Sequence, residues 1–170
     1  KVDVSEGTLH LAIEGNFVGW FFTFGQSKPL LVHVTLPSLE NVAASAGASV
    51  DVTQASGRTL AMSASSGASM SAKIGTVDRL SLDVSSGARV RVQGSCNQLI
   101  ANASSGGALE AHDLACGEVT ATASSGASAR VNALKSVNAD ASVGASISIS
   151  GRPERASSNS SVGGSVSFAP

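Results

Sequence analysis

The sequence predicts an all-β protein, a single-stranded right-handed parallel β-helix (β-solenoid). Three observations predict it: a glycine recurring in register, period-two alternation around that glycine, and a composition ruled by small residues. The glycines are Gly47, Gly67, Gly87, Gly106, Gly126, Gly144 and Gly163, at steps of 20, 20, 19, 20, 18 and 19 residues. A serine stands two positions before each: Ser45, Ser65, Ser85, Ser104, Ser124, Ser142 and Ser161. The fullest copies read ASSGAS, at 64–69 and 123–128. Self-similarity at one fixed period marks a stacked repeat.

Alternation gives each repeat its strands. Leu80, Leu82 and Val84 alternate with polar residues before Gly87, and Ala88, Val90 and Val92 do so after it. Such a pattern buries one strand face. Three residues after each glycine the column reads Val50, Met70, Val90, Leu109, Ala129, Ile147 and Val166, apolar throughout. The next position reads Asp51, Ser71, Arg91, Glu110, Arg130, Ser148 and Ser167, polar throughout. One 20-residue unit cannot bury its apolar face alone, whereas stacked units can. About seven coils of 18–20 residues follow, and parallel connections favour the right hand.

The composition fits a narrow coil. The 170 residues include 31 Ser, 26 Ala and 18 Gly, but no Tyr, one Trp and five Phe. Few side chains could fill a thick core. Small ones suit a thin layer between stacked strands. The glycine of the repeated step suits a corner where a Cβ would obstruct the backbone. The serine column before it is expected to satisfy corner backbone groups through its hydroxyls.

Residues 1–40 depart from the repeat and are expected to belong to the same domain as the solenoid at 41–170. Segments 2–13 and 30–36 alternate as strands, and Pro37 leads into the first full coil. Between them lies an aromatic loop at 15–25, GNFVGWFFTFG. It holds Phe17, Trp20, Phe21, Phe22 and Phe24, five of the six aromatic residues. An open solenoid end exposes apolar core and strand edges, so this loop is expected to cap it. The same rings are the first candidates for contact with a ligand or partner. At the other end, the polar stretch 157–161 makes a weak cap.

Cys96 and Cys116 are 20 residues apart, one coil. Stacking would bring their Cα atoms to about 5 Å, within disulfide range. The expected bridge joins neighbouring coils and implies an oxidising compartment.

Charge excludes several classes. Net charge is −1 and charged residues are 14% of the chain, so no basic face for nucleic acid is expected. No apolar run reaches membrane-spanning length. The chain opens at Lys1 with neither an initiator Met nor a secretory signal, which suggests a processed form. Two cysteines and separated histidines (His10, His33, His112) offer no metal site, and no cofactor is expected.

The rhythm L-x-V-x-x-SSG-A-x-V-x-V, the lead-in VTLPSLENV at 34–42 and the ending at 151–168 resemble the bacterial head GIN domain family. That family has no known function and is named for auto-transporter adhesins. The resemblance spans nearly the whole chain. It implies a right-handed β-helix exported to the bacterial envelope, periplasmic or extracellular, with further strands upstream of 8–13. It supplies no functional residues, and neither the aromatic loop nor the cysteine pair is carried over from it.

Catalysis on polysaccharide would need carboxylates clustered on one face. The column Asp51, Arg91, Glu110 and Arg130 reads instead as an exposed salt-bridge ladder, with Arg91 and Arg130 flanking Glu110. A second column, four before each glycine, holds Asp83, Asn102, Thr122, Asp140 and Asn159. Asp83, Asn102, Thr122 and Asp140 are a weak candidate for a polar contact face, and a plain solvated strand is the simpler reading. The sequence therefore points to a non-catalytic, exported surface module that contacts glycan or protein. A structural protein that self-associates through its ends or edges is the alternative. A polysaccharide lyase or hydrolase comes third.

Overall fold

The computed structural model describes residues 2–5, 8–11, 32–35 and 38–169. The aromatic loop, with Phe17, Trp20, Phe21, Phe22 and Phe24, lies outside them. The chain divides into two compact units, Lys1–Thr35 and Leu36–Pro170. In the first, β1 (Val2–Ser5) and β2 (Thr8–Leu11) pair antiparallel, with Asp3 opposite His10. Residues 32–35 are not in a strand, although their alternation predicted one. Val32 and Val34 are 43% and 45% exposed, so this apolar set lacks the buried face that fixes a strand.

The second unit is a parallel β-solenoid of about seven turns, without a helix among the described residues. Its strands are β3 (Asn41–Ala44), β4 (Ser49–Ala64), β5 (Ser69–Val84), β6 (Arg89–Ala103), β7 (Ala108–Ala123), β8 (Ser128–Ser142), β9 (Ser146–Ser150), β10 (Arg155–Ser161) and β11 (Ser165–Phe168). Every pairing among them is parallel and one coil apart. Alternation suggested two short strands per coil. The structure instead runs one strand of 15 or 16 residues from corner to corner in β4 to β8. The wide bend within each is taken by register shifts, as between Lys73 and Thr76, so pairing continues around it. In the last coil Pro153 lacks an N–H and the strand breaks into β9 and β10.

Inward columns form one continuous core of Leu, Val, Ile, Met and Ala, and among the described residues no polar or charged residue is buried. Leu80, Leu82 and Val90 are completely or almost completely buried. At the C-terminal end the inward column turns polar. Ser158 and Ser160 stack on Ala139 and Ala141 and are exposed. Val166 and Phe168 stack on Ile147 and Ile149 in the last half-coil, and Phe168 is 50% exposed.

The tight corners have one geometry. At the second, the Ala68 N–H donates to the Ser65 carbonyl at 3.0 Å, with φ of +51° at Ser66 and +74° at Gly67. Positive φ at both central residues defines a type I′ turn, which favours glycine at the second. The Gly67 N–H donates to the Ser86 carbonyl of the next coil at 3.1 Å, and the Ser85 N–H donates to the Ala64 carbonyl at 3.0 Å. Main chain thus satisfies main chain at the corner. This corrects the expectation that the serine hydroxyls do so. Serine suits the position because it is small and polar at a half-exposed edge.

Cys96 and Cys116 form the expected disulfide between β6 and β7, with Cα atoms 4.5 Å apart in direct register. Both are buried, at 5% and 0% exposure.

Two predictions follow from corner and bridge. Val143 holds the first central turn position at φ +50° while 53% exposed. A β-branched residue is strained there, and asparagine is favoured. Val143→Asn should therefore stabilise the protein by about 1 kcal/mol, roughly the cost of a left-handed residue, measured by chemical denaturation. The Cys96→Ala/Cys116→Ala double variant should remain folded by circular dichroism and lose about 3 kcal/mol, the loop-closure value for a 20-residue separation.

Candidate functional site

Outward side chains on the strand before each corner form flat polar columns. Parallel register stacks Ser63, Asp83, Asn102, Thr122, Asp140 and Asn159 in one line. Successive members are about 4.8 Å apart, the spacing of paired strands. The Asn102 amide donates to Asp83 Oδ1 at 2.9 Å, and the Ser81 hydroxyl donates to Asp83 Oδ2 at 3.4 Å. Both oxygens of Asp83 are therefore engaged within the face. Ser65, Ser85 and Ser104 run beside this column and with Ser63, Asp83 and Asn102 line a shallow trough of about 250 Å³. Thr122 is exposed and Asp140 half-buried, and neither carries a side-chain hydrogen bond among the described residues. The structure thus brings the four candidate residues of this face into one file.

The strand after the corner carries the charged column. Asp51, Ser71, Arg91, Glu110 and Arg130 stack in that order, so Ser71 separates Asp51 from Arg91. Arg91 reaches Asp113 at 3.2 Å and Glu110 at 3.9 Å, and Arg89 also reaches Glu110 at 3.9 Å. His112 Nε2 lies 3.3 Å from Asp113. Arg130 stands in register with Glu110 but makes no ion pair among the described residues. The expected ladder is therefore a local cluster centred on Arg91. Arg89, Arg91 and Asp113 are exposed and Glu110 and His112 half-buried, so solvent screens each pair and it contributes little to stability.

His10 is exposed on β2 and His33 is exposed outside any strand. Among the described residues no group of His, Cys, Asp and Glu could hold a metal ion.

A third polar surface lies where each coil leaves its wide bend. Parallel register stacks Thr59, Arg79, Gln98, Glu118, Ser136 and Arg155, eight positions before each corner glycine from Gly67 to Gly163. The Arg79 Nε and Nη2 groups both donate to Gln98 Oε1 at 3.3 Å, and Gln98 Nε2 donates to Glu118 Oε2 at 3.3 Å. One residue earlier, Asn97 donates to Asp78 Oδ1 at 2.8 Å. Thr76 and Ser95 join their hydroxyls at 3.0 Å. Thr59, Arg79, Gln98 and Glu118, with Thr76, Asp78, Ser95 and Asn97, line a groove of about 690 Å³. Sequence reading passed over this column because its residue types vary from coil to coil. The indexing that exposed the serine column would have found it, as a position polar in the six repeats from Gly67 to Gly163.

The fold and its outward columns define the class: a disulfide-linked parallel β-solenoid that offers long polar faces rather than an enclosed pocket. The chain belongs to the family described as "Putative auto-transporter adhesin, head GIN domain", which matches residues 1–153. Its fold is similar to that of a protein from Bacteroides fragilis NCTC 9343 whose crystal structure is described as that of "a putative adhesin". The two superpose with a TM-score of 0.61 at 13% identity, over 80% of this chain and 94% of the other. No curated protein is similar to it in sequence. Family and disulfide together are consistent with a chain exported or held at the cell surface. No helix among the described residues is long and apolar enough to cross a membrane.

Proposed function

We propose that this domain is an exported, non-catalytic binding module at the bacterial surface that contacts a glycan or a protein. Membership of an adhesin-named family carries the reading. The geometry of the polar faces supports it. A flat file of hydroxyl, amide and carboxylate groups at strand spacing suits a long ligand better than a small one. The contact residues we assign are Asp83, Asn102, Thr122 and Asp140, together with the aromatic segment Phe17, Trp20, Phe21, Phe22 and Phe24.

Carboxylate placement favours binding over turnover. Asp83 and Asp140 are three coil steps apart, about 14 Å at strand spacing. Paired glycosidase carboxyls stand about 5 to 9.5 Å apart. Asp83 is also occupied by Asn102 and Ser81. One observation favours self-association as a second role. Phe168 is half-exposed on the last half-coil, beside the unpaired outer edge of β11.

A panel of cell-surface glycans and envelope proteins tests the proposal, with the wild-type chain beside Trp20→Ala/Phe21→Ala and Thr122→Ala/Asp140→Ala, folding checked by circular dichroism. Specific binding that falls at least tenfold in one of the variants is the expected result. Cleavage of a bound polysaccharide, or no binding to any member of the panel, would overturn it.

A further inference from the structure

The groove beside the wide bend, at about 690 Å³, is larger than the 250 Å³ trough beside the corners, and neither the repeat nor the family assigns it a role. Its lining spans five successive coils, from Arg58 through Arg79, Gln98 and Glu118 to Lys135. At strand spacing this is about 19 Å along the solenoid axis. Length and direction suit an extended polymer lying along the stack.

Its charges are unevenly satisfied. Each carboxylate already accepts a hydrogen bond from a neighbouring amide, Asp78 from Asn97 and Glu118 from Gln98. The cations are differently placed. Arg79 is bonded only to the neutral Gln98 oxygen, and Arg58, Arg79 and Lys135 form no ion pair among the described residues. All three are exposed. Three cations without carboxylate partners thus face a groove whose two carboxylates are engaged. Guanidinium groups recognise carboxylate, sulfate and phosphate through paired N–H donors.

The floor permits close approach. The lining residues that are not fully exposed are small: Ser95, Cys96, Ala115 and Gly117. A Cβ at Gly117 would meet the Asn97 carbonyl oxygen at 2.9 Å, so this floor is also fixed in place. The Cys96–Cys116 bridge ties together the two coils at its centre. The Arg79–Gln98–Glu118 relay holds the wall side chains in one arrangement before any ligand arrives, which lowers the ordering cost of binding. Among the described residues no aromatic ring lines the groove, so these residues offer a neutral sugar no stacking platform.

We infer that this groove binds an acidic polysaccharide, with Arg58, Arg79 and Lys135 holding its anionic groups. The inference rests on the reading of the chain as a surface-binding module and names a ligand class for it. Carboxylated and sulfated polymers share the required chemistry.

Titration calorimetry of the full chain with polygalacturonate, dextran sulfate and neutral dextran tests the inference, and reducing-end release is assayed on the same samples. At least one charged polymer should bind tenfold or more tightly than dextran, and the preferred one tells carboxylate from sulfate ester. Arg58→Ala/Arg79→Ala should weaken that binding at least tenfold. Lys135→Ala, an independent groove variant, should also weaken it. Arg89→Ala/Arg130→Ala removes the same charge from the strand face after the corner, away from the groove, and should leave affinity within twofold. Equal binding of dextran, equal loss in Arg89→Ala/Arg130→Ala, or no binding of either charged polymer would overturn the inference. Failure here with a glycan or protein still bound through Thr122 or Trp20 would sink the groove alone. Release of reducing ends from a polymer bound in the groove would support the groove and sink the non-catalytic reading.

Discussion

Each tight corner of the solenoid places two consecutive residues at positive φ and stacks that turn on the next. The Gly67 amide reaches the Ser86 carbonyl and the Gly87 amide reaches the Ser105 carbonyl, with equivalent bonds at Gly47, Gly106, Gly126 and Gly144. A corner is where a flattened coil would otherwise leave main-chain donors and acceptors unpaired beside a buried layer. Stacking identical corners removes that cost, and it works only if every coil keeps its register. The rest of the structure inherits this register. Ala, Leu and Val columns meet in the interior, polar columns meet outside, and Cys96 meets Cys116.

The same constraint explains the composition. Small residues flank the corners because the turn is tight and the layer beneath it is thin. Ala68, Ala88, Ala127 and Ala145 each sit buried immediately after a corner glycine. Larger side chains such as Leu80, Leu82 and Met70 are placed further along the strands. Function is then left to outward positions, where the repeat sets spacing but not identity. Arg79, Gln98 and Glu118 occupy equivalent positions in three coils and differ in every one. Variation of this kind lets a uniform scaffold carry a particular ligand surface.

Most of the architecture was legible in the sequence because glycine and period-two alternation are local, repeated signals. The disulfide was legible because coil length converts directly into Cα distance. The continuous strands of β4 to β8 were not, since a bend crossed by bulges looks like a loop when only alternation is read. The role of the corner serines was also misread: hydroxyl chemistry suggested side-chain bonding where the I′ turn pairs its own main chain. At the candidate faces, register aligned Asp83, Asn102, Thr122 and Asp140 as the sequence indicated. The Arg91–Asp113 contact was missed because Asp113 lies in the bend, outside the indexed columns. The bend groove was missed because a site made from unlike residues in successive coils has no repeat signature.

Amide hydrogen exchange at the corner glycines tests the stacked-corner account most directly. Gly67, Gly87, Gly106 and Gly126 are exposed at turn tips, where unpaired amides exchange at nearly unfolded-chain rates. If each donates to the next coil, all four should be protected at least a hundredfold, comparably with strand amides such as that of Ser69, which donates to the Ala48 carbonyl. Exchange at unfolded-chain rates, with the strand amides still protected, would contradict the account.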